Sequence, residues 1–282
     1  MNSTPSIAGI FEPIHDAHAI EQVQIAINFA VPLDESSFSQ VRQSMDSFKP
    51  KLPGGSELQS FAIAFGQVPA ILGGAPSQVL TKGFVMQRMA PNGAIEAEVR
   101  IEPTSILFRT TVYSRWNIIW DEFAQYLKPI IGTFAASPVM QVSLTFVDKF
   151  VWIGVPSLCR ADLLLRAESQ YLAPHIYEAK DLWHSHTGAF VAVDEHTKRL
   201  LNINADCLDE QTGDKQRRVV SISTILTDIF NQPGFTSLSL SPNDAFEKLQ
   251  IRLGQLHNAS KGCFGDVISD AMCKRIALSR KI

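Results

Sequence analysis

The sequence predicts an α+β protein made of two similar units, each running strand, helix, antiparallel strands and long helix. Three observations support this fold class. Residues 106–153 change from a two-residue period to a helical period and back again. An Asn-Gly turn joins two alternating segments within residues 83–102. After residue 153 the same order of elements recurs without residue-level identity, so internal duplication is a structural hypothesis.

The clearest periodicity lies in residues 106–153. Residues 106–113 alternate as in a strand that buries one face. A helical stripe follows, made of Ile119, Phe123, Tyr126, Leu127, Ile130 and Phe134. Pro129 lies inside this stripe and removes one backbone donor, so we expect the helix to kink or restart there. From residue 139 the two-residue period returns, with Met140, Val142, Leu144 and Phe146 on one face.

The first unit is preceded by an irregular lead-in at residues 1–19, where no period is sustained. Alternating residues then predict a strand at 22–31. Asp34 or Ser36 is expected to cap a helix that ends before Pro50. The apolar face of this helix consists of Phe38, Val41, Met45 and Phe48.

A hairpin completes the antiparallel strands of the first unit. We expect a short strand at residues 61–65, a loop at 66–82, and paired strands at 83–90 and 94–102. The turn is Pro91-Asn92-Gly93, because Asn-Gly readily adopts positive φ angles. In the second strand, Ile95, Ala97, Val99 and Ile101 are predicted to face inward, while Glu96, Glu98, Arg100 and Glu102 face water.

The second unit is predicted to begin with the strand at residues 139–153 and to continue with a helix at 161–172. Three antiparallel strands follow, at residues 183–193, 199–207 and 218–230. A helix at 242–276 ends the unit, with an interruption near Gly262 and Gly265. The predicted organisation is therefore a first unit at 20–137 and a second at 138–282, packed together as one globular body.

Each long helix offers one apolar stripe, and each strand buries one face. The helices are therefore expected to pack on one side of curved antiparallel sheets. A helix-grip or TATA-box-binding-protein-like arrangement is the nearest known shape. This comparison depends on element order and implies no function.

Composition narrows the function classes. The 282-residue chain is 45% hydrophobic and carries a formal net charge of -3, which argues against nucleic-acid binding through a broad basic surface. No apolar run approaches the roughly 18 residues of a membrane span, and the first residues do not resemble a secretory signal. Four widely spaced cysteines are expected to be reduced thiols in a cytoplasmic protein.

Several segments carry a family resemblance. They are Glu12-Pro13-Ile14, the strand at 23–29, Trp120-Asp121-Glu122-Phe123, the strand at 140–150 and the terminal segment at 257–270. Together they resemble a sporadically distributed bacterial family of uncharacterised proteins, from which the chain differs at residues 146–150. The resemblance implies a patchy bacterial distribution, as seen for mobile-element or antiviral defence genes. It implies no catalytic residues.

No catalytic or metal-binding pattern stands out. His15 and His18, and His184 and His186, are closely spaced pairs, but neither pair has a third ligand at recognisable spacing. The cysteines form no C-x-x-C pair, and no nucleophile-elbow or phosphate-loop motif is present in the sequence. We therefore expect no catalytic residue, metal or cofactor.

The remaining candidates are aromatic and basic side chains that bind a partner. They are Trp116, Trp152, Trp183, His184, His186, Arg217 and Arg218. The preferred hypothesis is a non-enzymatic protein that holds a protein partner on its sheet or in the groove between its units. The alternative is a small-molecule-binding protein or hydrolase with a pocket between sheet and helices. Self-association stays open, and neither membrane nor nucleic acid is expected as a partner.

Overall fold

The computed structural model of the chain describes residues 9–60, 80–213, 215–230, 238, 240–241 and 243–279. The strands are β1 (Ile10–Pro13), β2 (Ile20–Phe29), β3 (Gly54–Ser60), β4 (Leu80–Met89), β5 (Ile95–Glu102), β6 (Ser105–Thr110), β7 (Val139–Ile153), β8 (Trp183–Asp194), β9 (Thr197–Thr212) and β10 (Lys215–Ile229). The helices are α1 (Glu35–Ser44), α2 (Trp116–Phe134), α3 (Ala245–Val267) and α4 (Asp270–Arg275). The strand predicted at 61–65 and residues 66–79 of the predicted loop lie outside the described residues.

The strands found in the described residues form one antiparallel sheet. Its order is β3-β4-β5-β6-β2-β7-β10-β9-β8, and β1 pairs with β7. Strand β7 is central, because one of its sides pairs with β10 and the other pairs first with β2 and then with β1. The predicted α+β class with an antiparallel sheet is confirmed.

The long helices pack on one face of this sheet. Ile25, Phe108 and Leu144 of three neighbouring strands share a buried cluster with side chains of α1, α2 and the first half of α3. A second buried cluster joins the far end of β7 to β9, β10, the end of α3 and α4. Since β7 and α3 contribute to both clusters, the two cores meet where α3 crosses β7.

Local signals in the first half are confirmed. Asp34 caps α1, because its side chain accepts a hydrogen bond of 2.7 Å from the backbone N–H of Ser37. The β4–β5 turn places Gly93 at φ +83°, where glycine is favoured. The backbone N–H of Gly93 donates to the carbonyl of Ala90 at 2.9 Å, which closes the turn.

The helix predicted at residues 161–172 is wrong. This region contains short 3-10 turns at Pro156–Leu158, Ala161–Leu163 and Pro174–Tyr177. Its backbone forms only short local turns and also bonds to the junction of α3 and α4. The N–H of Arg166 donates to the carbonyl of Val267, and the N–H of Ser269 donates to the carbonyl of Leu164. Long-range pairing therefore replaces the local helix.

The break in the terminal helix also lies elsewhere than predicted. Helix α3 is continuous through Gly262 and Gly265 to Val267, and Ser269 caps α4. Gly265 lies buried in α3, where packing outweighs its low helix propensity. Helix α2 is likewise assigned without interruption through Pro129, so it does not restart there.

Two strands were not predicted, and one side chain was assigned to the wrong environment. Strand β1 lies in the lead-in expected to be irregular, and β3 lies between the first predicted helix and the strand predicted at 61–65. Glu98, predicted to face water, is only 6% exposed. Its carboxylate accepts a 2.6 Å hydrogen bond from Gln87, and it lies 3.6 Å from both Arg100 and Arg109. Polar neighbours on adjacent strands cover it.

Candidate ligand-binding site

A cavity of about 520 Å³ lies where the two cores meet. Its walls come from the turn before β2, the segment leading into α2, the middle of β7, the second half of α3 and the residues after α4. His257, Ser260, Lys261 and Phe264 of α3 line it, at i, i+3, i+4 and i+7 on one helix face. The volume suits a small organic molecule.

Asp148 lines the cavity from the central strand. Burial alternates along β7, and Asp148 takes a helix-facing position between the buried residues Phe146 and Phe150. It is directly opposite Ile20 of β2 and Ile222 of β10, so backbone pairing fixes it on both sides. Among the described residues, no hydrogen bond or ion pair reaches its carboxyl group. Burial raises the pKa of Asp148 to about 8.

Asp228 provides an internal comparison. Asp228 is also buried, on strand β10, but two arginines neutralise it. The guanidinium of Arg199 donates to its two oxygens at 2.6 and 3.0 Å, and Arg252 donates at 3.3 Å. The chain therefore pairs Asp228 with two arginines, whereas no described cation contacts the carboxyl group of Asp148.

Aromatic rings form much of the cavity wall. Trp116 and His257 stack with ring centroids 4.6 Å apart and an interplanar angle of 6°. Phe146 lies against both rings, at 6.3 and 6.0 Å. Tyr113 meets Phe146 edge to face at 6.2 Å, and its pKa is raised to about 12 by burial and then by the charge of Asp148.

The imidazoles at the cavity are neutral near pH 7. Burial and then the charge of Lys261 lower the pKa of His257 to about 4. The pKa of His18 is also lowered, first by burial and then by the neighbouring His15 ring, whose centroid is 4.7 Å away. Among the described residues, the cations that line the cavity are Arg115, which is exposed, and Lys261, which is half-buried.

Ser260, His257 and Asp148 share the cavity, and these residue types occur together in hydrolytic triads. A triad requires hydrogen bonds from nucleophile to base and from base to acid. In the described part of the chain, no hydrogen bond joins these three residues. His257 instead stacks on Trp116. The arrangement is suited to holding a ligand.

Of the predicted site residues, Trp116 lies at the cavity and the other two tryptophans do not. Trp152 is buried against Phe11 with ring centroids 5.1 Å apart, and its indole N–H donates to the carbonyl of Val155 at 2.9 Å. Trp183 is buried in the second core. Both side chains contribute to packing.

The predicted histidines and arginines lie elsewhere. His184 and His186 are exposed on β8, and the ring of His184 contacts the carboxylate of Asp206. Arg217 is half-buried and 3.4 Å from Glu210. Arg218 is buried, and its guanidinium donates two hydrogen bonds to Asp209 and one to Asp181. The structure does not bring these four residues to the cavity.

Within the described ranges, no group of three or more His, Cys, Asp or Glu side chains is arranged to hold a metal ion. Cys159 and Cys207 lie close enough for their thiols to interact, and Arg218 adds a nearby positive charge.

None of the helices in the described part of the chain has the length and apolar character needed to cross a bilayer.

Sequence reasoning missed Asp148, Tyr113 and His257. A signal for Asp148 was present: continuing the alternation of Val142, Leu144 and Phe146 by two residues places a carboxylate on the buried face. Nothing local identifies Tyr113 and His257, because they meet only through packing of α3 on the sheet.

Comparison with known proteins gives no match: neither a protein-family model nor a curated protein sequence is similar to this chain. The functional argument therefore depends on the cavity itself.

Proposed function

We propose that this chain is a small-molecule-binding protein whose ligand occupies the cavity between the sheet and helices α2 and α3. One observation carries the proposal: Asp148 is 3% exposed and lines a cavity of about 520 Å³, and its carboxyl group has no partner among the described residues. Burying an uncompensated carboxylate opposes folding. A ligand that meets this group would remove the unfavourable contribution.

Binding is favoured over hydrolysis as the activity of this cavity. Rings form part of the wall, and no hydrogen bond joins the Ser260 hydroxyl to His257. Apolar walls with a few converging polar groups are typical of ligand sites. The described residues that line the cavity do not include His184, His186 or a cysteine.

Native mass spectrometry of the protein isolated gently from its own host tests this proposal. We expect a bound mass of a few hundred daltons that is lost in Ser260→Phe, because the added ring fills the cavity from α3. Gln255→Phe is the matched control, since it adds the same ring at an exposed position of the same helix. Ligand retained by Ser260→Phe and wild type alike would place it elsewhere.

A protein partner is the second candidate, and strand β8 is the observation in its favour. It is the last strand of the sheet, and Phe190, Val191 and Val193 along it are 64%, 51% and 40% exposed. An edge strand with exposed apolar side chains can accept an extended segment of a partner by β-strand addition. Val191→Lys should release such a partner from the isolated complex, while Ile251→Lys, at an exposed apolar site on α3, should not.

Charges on the helix-free face do not favour a nucleic-acid partner. Lys149 lies between Glu21 and Glu210 at 2.5 and 2.7 Å. Arg100 and Arg109 flank Glu98 on the neighbouring part of the sheet. Alternating signs of this kind support the expectation that no nucleic acid binds there.

The free thiols of Cys159, Cys207, Cys263 and Cys273 support a reducing, cytoplasmic location.

The duplication hypothesis has support from strand roles. In the first unit β2 pairs with β6, the strand that precedes α2. In the second unit β7 pairs with β10, the strand that precedes α3. The first strands of the two units, β2 and β7, pair with each other at the centre. We propose that this arrangement reflects two related units of the helix-grip or TATA-box-binding-protein type. A role in bacterial defence is a proposal that rests on the family resemblance alone.

A further inference from the structure

We propose that the ligand of this cavity is an organic monocation: an apolar, ring-sized body carrying one positively charged nitrogen that pairs with Asp148. This inference rests on the proposed function and names the chemical class that the site selects. The supporting features are an unpaired carboxyl group, aromatic walls and fixed cations in the lining whose charge would oppose a second positive charge.

Asp148 and Asp228 differ in their countercharge. Asp228 obtains its countercharge from Arg199 and Arg252, whereas no described cation contacts Asp148. In a site of low effective dielectric constant, an opposite charge at about 4 Å is worth several times its value in water. A cationic ligand would supply to Asp148 what the two arginines supply to Asp228.

Aromatic side chains line the cavity beside Asp148. Tyr113, Trp116 and Phe146 line the same cavity as Asp148. Aromatic faces attract a cation within about 6 Å of the ring centroid, and the attraction grows when water is excluded. A neutral ligand would gain the apolar contacts without this electrostatic term, and an anion would be repelled by Asp148 in its charged form.

Other titratable groups share the cavity with Asp148. Tyr113 and Arg115 line the cavity from the segment before α2, His18 from the turn before β2, and His257 and Lys261 from α3. The pKa of Tyr113 is raised, and those of His18 and His257 are lowered, so all three are neutral near pH 7. Lys261 and Arg115 are the fixed cations of the lining, and they disfavour a ligand with a second positive charge.

The cation must displace the proton from Asp148. Burial raises the pKa of Asp148 to about 8, so the group keeps its proton below that pH. The affinity for a cation should therefore rise as the pH approaches and passes this value. The affinity for a neutral hydrogen-bond acceptor would change in the opposite direction, because it needs the protonated acid.

Isothermal titration calorimetry with three matched probes tests the inference on the full chain. The probes are 2-phenylethylamine, 2-phenylethanol and phenylacetate, which share one ring-sized body and differ in charge. We expect the amine to bind at least about tenfold more tightly than the other two at pH 8.5. Its affinity should fall about tenfold or more between pH 8.5 and pH 6.5.

Two variants separate electrostatics from folding. Asp148→Asn should abolish both the preference for the amine and its pH dependence while the protein stays folded, since asparagine has a similar shape and does not ionise. Trp116→Leu should weaken the amine and the alcohol but leave the pH dependence intact, because it changes the wall and not the carboxyl group.

Equal affinity for amine and alcohol, or tighter binding of phenylacetate, would overturn the organic-cation inference and leave the cavity as a ligand site. Failure of all three probes to bind would also overturn the inference. The proposed function would still stand in that case if host-isolated protein carries a ligand that Ser260→Phe loses. It would fall if Ser260→Phe retains whatever wild type carries.

Discussion

Asp148 illustrates how one residue departs from the pattern around it. Strand β7 alternates buried and partly buried side chains, and an apolar residue at position 148 would continue the core. The folded protein instead holds a carboxyl group whose pKa is raised to about 8, from an ordinary value of about 4. The folded state therefore binds more protons at this group than the unfolded state between these pH values.

This difference predicts how stability depends on pH. Because the pKa of Asp148 is raised in the folded state, its contribution to the free energy of unfolding falls as the pH rises from about 4 to about 8. Above that range this contribution is constant. His257 acts in the opposite sense at lower pH, because its lowered pKa removes stability as the pH falls below about 6.5. Between pH 6.5 and 8.5, Asp148 therefore changes the free energy of unfolding more than His257 does.

We expect the free energy of unfolding of wild type to fall by about 2 kcal/mol relative to Asp148→Asn between pH 6.5 and 8.5. Urea denaturation of both proteins at each pH measures this difference. Asparagine has a similar shape and does not ionise, so it is the matched reference. Parallel stability curves across the range would show that Asp148 ionises in the folded protein as it does in water.

Two adjacent arginines should differ in their contribution to stability. Arg218 is 5% exposed and bonds to Asp209 and Asp181, whereas Arg217 is half-buried with one contact at 3.4 Å. Arg218→Ala is expected to destabilise by about 3 kcal/mol because it leaves a partly buried carboxylate unpaired. Arg217→Ala should change stability by under about 1 kcal/mol. Equal effects in thermal denaturation would argue against this structural role for Arg218.

Among the elements, α2 shows a local rule overruled by packing. Pro129 lies on its exposed side, and the buried side carries Phe123, Leu127 and Ile130. Burial of this stripe holds the helix together across a residue that lacks a backbone donor. The apolar stripe was predicted correctly from the sequence. Whether its burial outweighs the effect of Pro129 on the helix could not be predicted, because that depends on packing in the folded protein.

We expect Pro129→Ala to stabilise the protein by about 2 kcal/mol. Restoring an interior helical residue gains about 3 kcal/mol, and the greater freedom of the unfolded chain opposes it by up to about 1 kcal/mol. Chemical denaturation gives the value. A loss of stability would mean that the backbone around Pro129 depends on the proline ring.

The elements that could be predicted are those with local causes. The Asp34 cap fixes α1, and Asn92-Gly93 fixes the β4–β5 turn. The wrong or missing elements depend on distant partners. Strand β1 exists because it pairs with the end of β7, and residues 161–172 are held by the end of α3. No local period encodes such pairings.

For the molecule as a whole, β7 connects the two predicted units. It pairs with β2 from Val139 to Asp148 and with β10 from Gln141 to Val151. Strand β8 pairs only with β9 among the described residues, and residues Phe190–Asp194 along it are exposed. The sheet should therefore be most stable at its centre and least stable at this edge.

Hydrogen exchange measures that gradient directly. We expect the backbone amides of Leu144 and Phe146 to exchange most slowly, near the rate set by global unfolding. Amides of β8 beyond Gly188 should exchange faster by several orders of magnitude. Equal protection in β7 and β8 would show that β8 is covered in solution, which would favour pairing of this edge with a partner or a second copy.

The candidate site could be predicted only in part. Trp116 was named from the sequence as a binding residue and lies at the cavity. Its stacking partner His257 is 141 positions away in the chain, so only the crossing of α3 over β7 brings them together. Asp148 carried a local signal, whereas the absence of a partner cation at it depends on the whole fold.

The most direct test of this account is the ¹³C NMR titration of the Asp148 carboxyl carbon, assigned by comparison with Asp148→Asn. We expect a midpoint at a pH of about 8 in the free protein. With saturating 2-phenylethylamine, the midpoint should move to lower pH, because the cation stabilises the carboxylate. A midpoint at a pH of about 4 that does not respond to the amine would contradict both the buried, uncompensated carboxyl group and the ligand class inferred from it.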